Sequence, residues 1–93
     1  AGVGGATAVA LASVLADLAK THQVIVVTHL AQVAVAADVH YVVRKTQGDV
    51  PETSLSVVSG EERAFEIARM LSGDVTETSL AHAREMLHNA SSE

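Results

Sequence analysis

The sequence predicts an α/β fold on three observations. Val24-Ile25-Val26-Val27 is a short, wholly apolar, β-branched run, the pattern of a strand buried on both faces. Apolar residues recur at helical spacing before it, over 6–21, and again after residue 60. Between them, residues 39–59 carry two alternating runs around a turn with Gly48, Asp49 and Pro51, which reads as an antiparallel hairpin.

Each element follows in order. Ala6 to Thr21 is the first expected helix. Leu11, Val14, Leu15 and Leu18 form one stripe expected to be buried, with Ser13, Asp17 and Lys20 off it. Val24 to Thr28 is the expected buried strand, and Leu30 to Ala36 a short Ala-rich helix ending near Asp38. Val39 to Thr46 and Thr53 to Ser59 are the hairpin strands. Val39, Tyr41 and Val43 share one face of the first, and Leu55 and Val57 one face of the second. Ser59-Gly60-Glu61-Glu62 has the form of a capping box, in which Ser and Glu each satisfy an amide of the first turn. The helix it opens runs to about Leu71, with Ala64, Ile67, Ala68 and Leu71 inward, and Gly73 supplies a left-handed cap. A last helix, roughly Glu77 to His88, buries Leu80, Ala83 and Leu87, and Asn89 to Glu93 is expected to fray.

Composition excludes several classes. The chain has 93 residues and is 48% hydrophobic, with one Tyr, one Phe and no Trp, so its core must be aliphatic. A formal net charge of -5 argues against this segment being the basic face that holds nucleic acid. The absence of Cys removes disulfides and thiolate metal sites. No apolar run approaches the roughly 20 residues of a membrane-spanning helix. Asp17 and Lys20 interrupt the apolar-rich start, which has no basic segment before it and does not read as a signal peptide. The opening Ala1-Gly2-Val3-Gly4-Gly5 lacks Met and is expected to be a cut point within a longer protein.

His29 is the leading site candidate. It follows the expected strand at its carboxyl end, where open α/β sheets bind ligands. The plainer reading is a His that caps a helix or bonds to nearby backbone. Gln32 lies one turn on and faces either the same pocket or solvent. Gly2-Val3-Gly4 would open a dinucleotide fingerprint only with a strand before it and an acidic residue ending the next strand. Thr28-His29 stands at that second position, which weakens the dinucleotide reading. Arg44 and Lys45 read as a solvated strand end, or as a contact to DNA or another subunit. His22, His40, His82 and His88 lack ligand spacing, so a zinc site is not expected.

Several of these pieces, taken together, resemble one family. Ala1 to Gly5 and Val26 to Ala34 match, in order and at similar spacing, a glycine-rich loop and a Val-Thr-His-Leu-x-Gln-Val-Ala strand end. Arg44-Lys45, Gly60-Glu61-Glu62-Arg63 and Ile67-Ala68-Arg69-Met70-Leu71 extend the match over nearly the whole chain. The pattern resembles the C-terminal part of the ATPase head in the RecN family of SMC-like, ABC-type proteins. The resemblance implies a piece of a P-loop NTPase head covering residues 1–93. Residues 1–5 would be D-loop-like, 24–34 the switch-histidine strand and loop, 39–59 a peripheral hairpin and 60–88 the C-terminal helices.

The same resemblance implies roles. His29 would reach the γ-phosphate of ATP and help hold the attacking water, the main base being a carboxylate at the end of the Walker B strand. Gly2, Gly4 and Gly5 would pack against a partner head, although most ABC proteins carry Ser-x-Leu-Asp in that loop. Gln32 would line the pocket. ATP and Mg²⁺ would serve the full-length protein, with none tightly bound to this fragment, which alone would be inactive. Implied partners are the N-terminal half of the head, a second head in a homodimer, and DNA through the full-length protein, with no membrane. The implied setting is DNA double-strand break repair and recombination in the cytoplasm, on the nucleoid when acting on DNA. The strand over 24–28 would lie parallel to the Walker B strand, joined to it through helix 6–21. Leu71-Ser72-Gly73-Asp74 imitates the start of an ABC signature. It lacks the second Gly and stands on the wrong side of Walker B, so a helix cap explains it better. A non-enzymatic interaction module and a dinucleotide-binding fragment remain the alternatives.

Overall fold

The computed structural model describes residues 4–91. The chain runs α1 (Gly5–Leu18), α2 (Ala31–Ala34), β1 (His40–Lys45), β2 (Thr53–Val58), α3 (Gly60–Ser72) and α4 (Glu77–Ser91). Helices with one antiparallel hairpin make a small α/β fold, as the sequence predicts at the level of class.

The core is built from small residues. Ala31 and Ala34 of α2 meet Ile67 and Ala68 of α3 and Ala83 of α4. Val35, Met70, Leu71, Leu80, Met86 and Leu87 close around them, partly buried. The expected inward faces of α3 and α4 are thus the observed ones. Ile67 is the one large side chain that is fully buried among the described residues.

Helix α1 packs differently from expectation. It buries Ala8 and Ala12, an i, i+4 pair, and half-buries Leu15. Leu11, Val14 and Leu18 of the expected stripe are exposed. Two alanines let α1 pack against the Ala-rich α2, while the larger side chains of the stripe stay open among the described residues. The helix also stops at Leu18, and the chain turns off through Thr21 and His22, whose amides bond to the Leu18 carbonyl at 3.2 and 3.0 Å.

The expected buried strand at Val24 to Thr28 is not a strand in this chain. Residues 23–28 belong to no regular element, and Ile25 and Val27 are 85% and 97% exposed. The sequence pattern marks residues suited to a sheet interior, but a strand needs neighbours to complete its ladder. The two strands described here pair only with each other.

The expected hairpin forms, and its register sets Tyr41 opposite Val57 and Val43 opposite Leu55. These four share a face, as the alternation requires, but that face is open to solvent. The other face is turned inward, with Val42 and Val58 buried and His40 half-buried. Thr46 closes the turn, its hydroxyl accepting from the Glu52 amide at 2.9 Å.

Helix ends explain two further departures. Ser59 is the extended residue before α3, yet its hydroxyl makes no cap bond. Gly60 takes φ 56°, which turns the chain out of the helical path immediately after Ser59 and removes the box geometry. The reciprocal cap forms instead at α4. Thr76 Oγ1 accepts from the Ser79 amide at 3.0 Å, and Ser79 Oγ accepts from the Thr76 amide at 2.9 Å. Gly73 takes φ 78° and caps α3 as expected, its amide bonding to Arg69 at 2.7 Å. Asn89 to Ser91, expected to fray, continue α4.

The chain exposes 6858 Å². A closed monomeric domain of 9.6 kDa exposes about 5,100 Å². Exposed large apolar side chains lie on the outer stripe of α1, over residues 25–27 and on one hairpin face.

Candidate functional site

Thr28 turns the chain from the apolar stretch into α2. Its Oγ1 accepts from the Leu30 amide at 3.0 Å, and the Leu30 carbonyl then accepts from Val33 and Ala34 at 3.1 Å. His29 stands in the bend between them. It is exposed, and its imidazole makes no hydrogen bond among the described residues. The chain therefore delivers an unengaged imidazole at the carboxyl end of an apolar stretch, able to donate or accept outward.

The other predicted site residues are not gathered around it. Gln32 is half-buried on α2, with no bond to His29. Gly4 and Gly5 open α1, and a Cβ added at either meets nothing within 4 Å. Neither has positive φ, so this chain's own packing does not require glycine there. Gly2 lies outside the described residues. Among the described residues, no three His, Asp or Glu side chains come together to hold a metal, and no helix is long and apolar enough to cross a membrane.

Arg63 organises the far end of α2. One guanidinium nitrogen, Nη2, donates to the Ala34 carbonyl at 3.0 Å and to the Ala37 carbonyl at 2.7 Å. The Ala34 carbonyl also accepts from the Ala37 amide at 3.2 Å, and a cation is favoured at a helix C-terminus. Arg63 is half-buried and its Nε has no partner among the described residues. Burial pushes the guanidinium below its ordinary pKa, and the Asp38 carboxylate opposes that shift. Glu61, also in the first turn of α3, pairs with Arg84 of α4. That bond holds the Glu61 carboxyl below the usual range, although both side chains are exposed and the pair adds little to stability. In the sequence, Arg63 stands out only within the resemblance carried by Gly60-Glu61-Glu62-Arg63. That Arg63 reaches a segment 26 to 29 residues away carries no periodic signal.

His40 sits on the inner hairpin face with a buried, unpartnered Nδ1. Burial and the nearby Arg63 charge push its pKa below the ordinary 6.5, with Glu66 opposing. A lowered folded pKa means the unfolded chain takes up the proton first. His40's contribution to stability is then full above the unfolded value and is lost as pH falls through the folded one. In an NMR titration of the imidazoles, the resonance missing from His40→Gln is expected to titrate below 6.5. A midpoint at or above that value contradicts the buried, Arg63-facing placement.

No family model matches the chain. Curated proteins do. The chain is 53% identical over 88 residues to DNA repair protein RecN of Deinococcus radiodurans, covering 94% of this chain and 16% of the relative. It is 49% identical over 93 residues to the RecN of Mycobacterium tuberculosis, covering 100% of the chain and 16% of the relative. With the RecN of Streptomyces coelicolor, identity is 48% over 95 residues, covering 100% of the chain and 17% of the relative. The class these relatives define is that of bacterial DNA repair proteins. Over the stretch it spans, the chain belongs to the RecN family.

Proposed function

We propose that this chain is part of the ATP-binding and hydrolysing head of a RecN-like protein acting in DNA double-strand break repair and recombination. It supplies His29 as the switch histidine and Gly2, Gly4 and Gly5 as the D-loop, with Gln32 beside the pocket. The observation that carries this reading is His29 itself. It is exposed and makes no hydrogen bond among the described residues, and it ends an apolar stretch in which Ile25 and Val27 are exposed.

In the intact head, residues 24–28 form a buried parallel strand beside the Walker B strand. The outer stripe of α1 and the open hairpin face turn toward the rest of the protein. ATP with Mg²⁺ brings the phosphoryl group to be transferred to water. The described residues fit one part of that chemistry: they offer a free imidazole but no cluster to hold the metal. His29 donates to a phosphate oxygen or orients the attacking water, as positioning and electrostatics require in phosphoryl transfer. It does not serve as the main base. Two heads engage as a homodimer, DNA is contacted through other parts of the protein, and the setting is the cytoplasm and nucleoid. The dinucleotide alternative lacks its acidic residue, since Thr28-His29 occupies that position.

The chain alone is expected neither to hydrolyse ATP nor to bind it tightly, because the phosphate cradle and metal ligands lie in other segments. Titration calorimetry with Mg-ATP should show no binding in the micromolar range. A micromolar Kd for the 93-residue chain overturns the reading.

A further inference from the structure

Gly60-Glu61-Glu62-Arg63 has no task in the proposed function, yet Arg63 makes the longest-reaching side-chain contacts described in this chain. Those contacts land on the last residue of α2, the turn of helix that follows His29, and on Ala37 just beyond it.

A four-residue helix cannot hold itself in water. Several contacts fix α2 from outside, the packing of α1 against it among them. Its Ala31 and Ala34 side chains rest on Ile67, Ala68 and Ala83. Alanines fill space but offer little shape to resist rolling or sliding of the turn. Arg63 adds direction: its two bonds, at 3.0 and 2.7 Å, lock the carbonyls of Ala34 and Ala37 to the first turn of α3. At the other end, Thr28 Oγ1 ties the bend to the Leu30 amide. His29 lies inside that bend, with no side-chain bond of its own among the described residues. The backbone that carries it is therefore placed by α2. The guanidinium is also half-buried with an unpartnered Nε. Such a charge is an expensive way to hold a helix end that a surface residue or water would satisfy.

We propose that Arg63 is a positioning residue for His29, clamping α2 to α3 so that the imidazole is aimed before nucleotide arrives. The proposal rests on the reading of His29 as the switch histidine. Arg63 touches no substrate and acts only through α2.

The test is a mutant cycle in the full-length protein that carries this chain, with steady-state ATP turnover as the readout. Arg63→Gln is expected to lower kcat about tenfold with KM within about twofold of the parent. In a His29→Ala background, the same substitution should change kcat by less than about twofold, because the group it aims is gone. Equal losses in both backgrounds would mean a general structural role and overturn the proposal, as would no loss in either. Should Arg63→Gln not fold, Arg63→Lys carries the same cycle. It keeps the charge on a shorter, more flexible stem that does not place a donor where Nη2 stands, and a partial loss confined to the His29 background is expected. If His29→Ala alone leaves turnover unchanged, both the positioning role and the underlying reading fail. If His29→Ala is damaging and Arg63→Gln adds its full loss to it, only the positioning role fails.

Discussion

In solution the 93-residue chain is expected either to associate with itself or to be marginally stable, melting broadly rather than in one sharp transition. The cause is apolar surface that the chain cannot cover. Ile25 and Val27 stand in water, as do Leu11, Val14 and Leu18 on α1 and Tyr41, Val43, Leu55 and Val57 on the hairpin. Burying one such side chain contributes roughly 1.5–3 kcal/mol. Leaving several of them exposed forgoes an amount on the order of the 5–15 kcal/mol that holds a domain together. The core that does form is mostly alanine, with Ile67 its one large fully buried member among the described residues. Each hairpin strand also keeps a free edge, which invites pairing with another chain. The net charge of -5 opposes association but cannot cover a strand edge. Sedimentation over a dilution series, with a thermal melt on the same samples, decides the matter. A mass above the monomer that falls on dilution, or a monomer with a shallow melt, fits the account. A monomer with a steep, high transition would show that the core closes unaided.

Where the sequence was legible, the signal was local. The stripe Ala64, Ile67, Ala68 is buried as its spacing requires, Gly73 takes the left-handed cap, and the alternation over 39–59 gives a hairpin. Periodicity names the residues suited to burial but not what they meet. That gap accounts for the apolar run at 24–27 lying open and for α1 burying Ala8 and Ala12 instead of its leucines. Cap chemistry misled in one place and was missed in another. Ser59-Gly60 has the right letters, but the positive φ of Gly60 breaks the box, while Thr76 and Ser79 build one with Ser in place of Glu. Of the candidate site, His29 stands out in the sequence as a polar residue ending an apolar run. The Arg63 clamp does not, because it joins segments far apart in the chain.

The central claim is that His29 acts at the γ-phosphate, and ATP turnover measured beside ATP affinity tests it most directly. A hydrogen-bond donor aimed at charge that develops during reaction acts mainly on the transition state. Loss of one such donor lowers kcat by about 10²-fold, while ground-state binding, held by other groups, changes little. His29 suits this role because its imidazole is exposed and unengaged among the described residues, so substitution should not disturb the local fold. In the full-length protein, His29→Ala is expected to cut kcat on that scale and to leave the Kd for Mg-ATP within a few-fold of the parent. Unchanged turnover, or equal losses of turnover and binding, would contradict the account.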